Sequence, residues 1–232
     1  MTNEIKEISV PGIHKQFYKL FVKFAADFKN PKILEVGAGH GAFSKKLVEN
    51  NFDVSACDLF PDLFYYDKVE CKYADFSKEL PYPDNSYDII TAIEVMEHVH
   101  DHLVFMKECN RVLKSGGVLA VSTPNILSLK SRLRFLFSGF YYSFGELDHY
   151  RNDGLQHLAS LTVNQYENLG ISTGFSKPEI HIDKKQSSSK ILLVLYPLIR
   201  LYCLIKKVNY KVHNKIEHLT GRKLFIVYKK IK

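Results

Sequence analysis

Ile33-Leu34-Glu35-Val36-Gly37-Ala38-Gly39-His40-Gly41 runs an apolar strand straight into three glycines spaced two apart, and a helix-forming segment follows. Glycine is required where the backbone turns to positive φ or comes within contact distance of a ligand, and a helix start aims free N–H groups at that ligand. The stretch therefore reads as a nucleotide-type cofactor loop. Its GxGxG spacing differs from the dinucleotide pattern GxGxxG, whose loop receives a pyrophosphate. Glu35 stands just before the glycines, where it would repel a pyrophosphate and attract a cationic amino-acid group. The cofactor expected here carries positive charge.

Outward from this loop, strands and helices alternate. A second strand, Val54 to Cys57, ends in Asp58, an acid placed to accept both hydroxyls of a ribose. A third, Val69 to Tyr73, leads to Asp75 and Phe76, which suit an exocyclic amine and a purine face. A fourth, Tyr87 to Ala92, follows the turn Pro83-Asp84-Asn85-Ser86 and enters Ile93-Glu94-Val95-Met96-Glu97-His98-Val99. An Asp-capped amphipathic helix is expected from Asp101 to Leu113, ended by Lys114-Ser115-Gly116-Gly117, with a fifth strand from Val118 to Ser122. Gly12 to Phe28 reads as a further amphipathic helix ahead of the first strand. Such alternation predicts a parallel α/β sheet with the ligand at the carboxyl ends of its strands.

At these residues the chain resembles the class I S-adenosylmethionine-dependent methyltransferases. The matching segments are LEVGAGHG, the Asp after the second strand, ADFSKELPYPDNSYDIITAIEVMEHV and RVLKSGGVLAVSTPN, in order over residues 31–125. The resemblance implies a Rossmann-like seven-stranded sheet with the last strand antiparallel, helices on both faces, and a helical, aromatic lid. It implies that Glu35, Gly37, Ala38 and Gly39 surround the methionine part of S-adenosylmethionine. Asp58 and Leu59 would hold the ribose, Asp75 and Phe76 would bracket the adenine, and Glu94 would lie near the amino group or the transferring methyl.

Methyl transfer from a sulfonium is an in-line displacement, so the protein chiefly aligns the reactants and excludes water, with a base to take the proton of a hydroxyl acceptor. The expected catalytic groups are His98 and His157. Glu94, Glu97 and His98 form an ExxEH cluster similar to that of ubiquinone-pathway O-methyltransferases and of small-RNA 3′-end 2′-O-methyltransferases, which use it with a later His to bind a divalent metal. Here the later His would be His157, with His149 as second choice. We take His98 or His157 as a metal-free base, with a divalent ion on Glu94, Glu97, His98 and His157 as the alternative. His40 is assigned no chemistry.

The second half is harder to read. Residues 126–161 are rich in basic and aromatic side chains and are expected to be the acceptor lid, in a segment 126–170. Gly170 to Ile182 is expected to be the sixth strand and Lys223 to Tyr228 the seventh. Between them an apolar run, Ile191 to Ile205, is interrupted by Pro197 and Arg200, and reads as too short to span a bilayer. From Lys177 onward there are 14 Lys or Arg against 3 Asp or Glu, whereas the preceding residues are net acidic. Residues 187–220 are thus expected to be an apolar and basic helical insertion, with contact to anionic headgroups through 187–211.

Methyltransferases of bacterial surface-polysaccharide pathways are similar in the TPNxxSxxxRLxFL segment, Thr123 to Leu136 here. This resemblance implies O-methylation of a saccharide or lipid-linked glycan. Alternatives are a quinol precursor, a non-catalytic cofactor-binding subunit and a nicotinamide-dependent reductase. The insertion could instead support a homodimer, and no nucleic-acid-binding module is recognisable. One domain, residues 1–232, with a cofactor-binding half at 1–125, accommodates the length. The polar start, Met1 to Val10, has no signal-peptide pattern, and Cys57, Cys71, Cys109 and Cys203 show no CxxC spacing, so a cytoplasmic protein with contact to the inner face of a membrane is expected.

Overall fold

The computed structural model describes residues 4–151 and 153–231, so the first three residues of the polar start and the outermost positions of the 1–232 domain lie outside them. Helix α1 (Ile13–Ala25) leads into β1 (Lys32–Val36), α2 (Ala42–Val48), β2 (Asp53–Asp58), β3 (Cys71–Tyr73) and β4 (Tyr87–Ile93). A 3-10 turn at Met96–His98 precedes α3 (His102–Val112), β5 (Leu113–Pro124), α4 (Leu129–Ser138), α5 (Val163–Ser172) and β6 (Glu179–Ile182). Helices α6 (Ser187–Ile191) and α7 (Tyr196–Ile205) are joined through a 3-10 turn at Leu192–Leu195. The short α8 (Tyr210–His213) and α9 (Ile216–Thr220) and the strand β7 (Lys223–Lys229) follow.

The seven strands form one sheet in the order β3-β2-β1-β4-β5-β7-β6. The first five are parallel, and β7 runs antiparallel to both β5 and β6. Side chains alternate across a strand, so neighbours in sequence supply opposite layers. Ile33, Ile89 and Ala120 face Phe17 and Phe21 of α1 and Phe43 and Leu47 of α2. Leu34, Ile90 and Leu119 face Phe105, Met106 and Cys109 of α3 and Tyr166 of α5. All four cysteines are unpaired.

Several boundaries differ from expectation. Residues Gly170 to Pro178 are not strand. Thr162 and Gln165 form a reciprocal capping box that starts α5, and Val163, Tyr166 and Gly170 bury its inner face at helical spacing. The strand of this segment that pairs with β7 is Glu179–Ile182, Ile180 opposite Ile226, while Phe175 makes an isolated bridge to Lys230. The third strand is three residues, Cys71–Tyr73, and Val69 instead packs with Ala56 and Tyr66. Helix α3 is capped by Asp101 as expected, yet β5 begins at Leu113, where an irregularity between Tyr87 and Ile89 admits the Gly116-Gly117 bend. α1 is shorter at both ends than the expected Gly12 to Phe28.

Candidate active site

Every cofactor candidate lies at the carboxyl end of a parallel strand or in the loop that leaves it, where a crevice opens in this class of sheet. The glycine loop is pinned to β2 by Gly37 N–H donating to the Cys57 carbonyl at 2.9 Å. Gly37 has φ +72°, and a Cβ there would fall 2.4 Å from Val95, so this position admits only glycine. Asp58 ties the loop to the end of β2: Oδ2 accepts from Gly39 N–H at 2.8 Å and Oδ1 from Phe60 N–H at 2.9 Å. A carboxylate oxygen has lone pairs to spare after one such bond, which leaves Asp58 acceptors for ribose hydroxyls. Glu35 is buried and accepts from the Ser44 hydroxyl of α2, and burial pushes its carboxyl up to about 8.

The adenine-side pair is arranged less openly than the sequence suggests. Asp75 accepts from Ser77 N–H at 3.0 Å and Ser77 Oγ at 2.6 Å, and these bonds, with Lys78, hold it down to about 2. Phe76 sets its ring edge-on to Phe105, 6.0 Å between centroids. The segment expected to be the lid reaches this side too: at Gly154, φ +67°, a Cβ would lie 3.1 Å from Phe60 and 3.4 Å from Leu59.

The Met96–His98 turn brings the expected catalytic groups together with the lid. Leu158 N–H donates to the Glu97 carbonyl at 2.7 Å, and His98 Nδ1 lies 2.9 Å from the Gln156 carbonyl. That bond puts the proton on Nδ1 and leaves Nε2 as the acceptor. The His98 and His157 rings stand edge to face at 4.9 Å. Burial lowers both, His157 to about 4, so both are neutral near pH 7. His149 is on the exposed loop Asp148–Tyr150.

Glu97, His98 and His157 offer donor atoms within 4.8 Å of one another. Glu94 is held elsewhere. It sits at φ +57°, accepts from Ser122 Oγ at 3.0 Å and is ion-paired with Lys223 at the start of β7. The Lys223 ammonium also stands 3.9 Å from Glu97 Oε1, and burial together with Glu94 raises the Glu97 carboxyl well above its usual range. The four-residue set does not fit a divalent ion as it stands, because a fixed positive charge already faces both carboxylates. Neither Lys223 nor Ser122 emerged from the sequence. The available signal was a lysine placed directly before the apolar run Leu224 to Tyr228 that the fold had to bury.

A cavity of about 420 Å³ adjoins this cluster, lined by Asn125, Ser128, Lys130, Tyr142, Arg222 and Lys223 among others. Asn125 shapes it by donating to the His218 carbonyl at 2.7 Å and the Gly221 carbonyl at 2.9 Å.

A glycine loop locked to an acid at the end of the next strand, on a seven-stranded sheet whose last strand is antiparallel, is an arrangement suited to a nucleoside cofactor. The family model described as "Methyltransferase domain" matches residues 13–177. The chain belongs to that methyltransferase family. A "Probable S-adenosylmethionine-dependent methyltransferase" of Mycolicibacterium smegmatis is 30% identical over 131 residues, 51% of this chain and 50% of that protein. The chain thus matches about half the length of this relative. A ubiquinone biosynthesis O-methyltransferase of Psychrobacter arcticus is 26% identical over 189 residues, 77% of this chain and 68% of its own. The crystal structure of a SAM-dependent methyltransferase from Archaeoglobus fulgidus superposes with a TM-score of 0.60 at 16% identity, covering 94% of each chain.

Proposed function

We infer that the protein transfers a methyl group from S-adenosylmethionine to a hydroxyl of a saccharide or lipid-linked glycan, at the cytoplasmic face of a membrane. The observation that carries the cofactor half is the joining of Asp58 to the glycine loop through Gly39 N–H. It sets the ribose acid and the loop backbone as one rigid element, with Glu35 below to meet an ammonium group. The fold then supplies alignment, and the lid segment tied to Glu97 and His98 excludes water. Neutral His98, with Nδ1–H donating to Gln156, can take the acceptor's proton at Nε2. The adjoining cavity, with Asn125, Ser128, Lys130 and Arg222, favours a hydroxyl-rich or anionic acceptor.

The membrane part of the reading is supported by an uncovered face. Leu136, Phe137, Ile191, Val194, Leu198 and Leu204 are each more than 60% exposed. No Asp or Glu lies between Asp183 and Glu217, a stretch holding eight Lys or Arg. Contrary to the sequence expectation, Ser187–Ile205 is long enough on length and composition to cross a bilayer, with mean hydropathy 1.6 and 11% buried. Its two ends are fastened to the domain: Ser189 Oγ accepts from Lys130 N–H of α4, and Cys203 accepts from Asn214. A position along the lipid surface suits that attachment.

A quinol precursor is the second reading, favoured by the Psychrobacter arcticus relative and by the same apolar face. Glycan, lipid and quinone fractions from cells lacking the protein, and from cells carrying Asp58→Ala, should be compared by mass spectrometry. A glycan or glycolipid lighter by one CH₂ in both is the expected result. The same loss in a quinone would transfer the assignment to the second reading. In vitro, Asp58→Ala should weaken S-adenosylhomocysteine binding by about 1–3 kcal/mol in calorimetry, and an unchanged affinity would remove Asp58 from the cofactor site.

A further inference from the structure

Lys223 is anchored at both ends. Its main-chain N–H donates to Asp183 Oδ1 at 2.9 Å, and its Cα pairs with Pro124 at the end of β5. From there the side chain, 3% exposed, runs beneath the carboxyl ends of β4 and β5 to the Glu94 carboxylate. Burying an ammonium costs several kcal/mol unless opposite charge compensates it, so a lysine placed here rather than an apolar residue needs a reason. Packing does not supply one, because the next three positions of β7 are filled by the buried side chains of Leu224, Phe225 and Ile226. Among the described residues both oxygens of Glu97 are buried without a hydrogen-bond partner, and the Lys223 ammonium stands 3.9 Å from Oε1. The same residue borders the cavity beside Asn125, Ser128 and Tyr142.

We propose that Lys223 is the built-in cation of the transfer site, holding the place between Glu94 and Glu97 that a divalent ion would need and presenting its charge to the attacking oxygen of the acceptor. The role toward the acceptor rests on the methyl-transfer reading; the replacement of a metal does not. In the reaction the acceptor oxygen forms the new C–O bond as the methyl–sulfur bond breaks and its electron pair stays on sulfur. The acceptor proton passes to the His98–His157 pair. Lys223 is unchanged throughout and stabilises the oxygen as it becomes anionic.

Lys223 also governs metal binding, whatever the acceptor. Without the ammonium, Glu94, Glu97, His98 and His157 are a carboxylate and imidazole set with no internal cation, which suits Mn²⁺. Free Mn²⁺ measured by electron paramagnetic resonance should show no specific site in the wild type or in Lys223→Arg. Lys223→Met should take up one Mn²⁺ per chain at least tenfold more tightly than wild type, and the added Glu97→Gln change should abolish that site. One Mn²⁺ bound per wild-type chain and lost in Glu97→Gln would overturn the proposal, and this arm requires no Lys223 variant to fold. A folded Lys223→Met that gains no affinity would overturn it equally. S-adenosylhomocysteine binding, measured on the same samples, reports separately on the cofactor assignment.

Discussion

Glu35 lies beneath the glycine loop with 2% of its surface exposed, and burial raises its carboxyl from 4.5 to about 8. The folded protein therefore holds a proton that the unfolded chain has released between about pH 4.5 and 8. Stability contributed by this neutral carboxyl is present below that window and is lost as pH rises through it. Glu35→Gln should flatten the slope, so its melting temperature in scanning fluorimetry exceeds that of wild type at pH 8 but not at pH 5. A cofactor ammonium favours the ionised form, and wild-type binding near pH 7 should release a proton that the glutamine variant does not. Calorimetry in buffers of different ionisation enthalpy detects that release. Binding to Glu35→Gln should be weaker by about 1.5–3 kcal/mol, the worth of a hydrogen bond to a charged group.

At the scale of elements, α5 rests on β7 because Gly170 has no side chain. A Cβ at Gly170 would meet Tyr228 Cε1 at 2.4 Å, and Tyr228 is fully buried with its hydroxyl donating to the Tyr166 carbonyl at 3.1 Å. The ring cannot swing aside without giving up that bond. Gly170→Ala should destabilise the protein by about 1–3 kcal/mol in urea denaturation, although alanine is the better helix former. An unchanged midpoint would show that the helix can slide. The sequence reading placed Gly170 at the start of the sixth strand. The decisive signal was the Thr162–Gln165 capping box eight residues earlier, which commits the chain to helix before Gly170 is reached.

For the whole molecule, the exposed apolar residues of α4 meet the acid-free run from residue 184 to residue 216, because α4 packs on α6 and the turn after it. A surface of exposed Leu, Ile and Phe flanked by lysines gains both apolar burial and attraction to anionic headgroups, about 1 kcal/mol per nearby Lys or Arg. The protein should co-sediment with vesicles containing phosphatidylglycerol and not with phosphatidylcholine alone, and raised salt should weaken the association. Leu136→Asp with Phe137→Asp should reduce it while leaving the melting temperature within a degree or two, since both side chains are exposed. A stable dimer in analytical ultracentrifugation, dissociated by the same pair, would assign the face to a second copy instead.

Local patterning determined the parallel half of the sheet. The Ile33–Gly41 strand and loop, Asp58 at the next strand end and the Asp101 cap are each written in residues a few positions apart, and period and spacing are sufficient to read them. The charge contrast between the sheet half and the tail is likewise a property of composition alone. What the tertiary structure decided joins residues far apart in the chain: Lys223 against Glu94, His157 beside His98 and Tyr228 beneath Gly170. Those contacts depend on β7 inserting between β5 and β6 and on the lid folding back to Glu97, choices made by burial over the whole sheet. No window of sequence contains both partners, so a lysine at the head of an apolar strand acquires its meaning only when the strand order places two carboxylates at its tip.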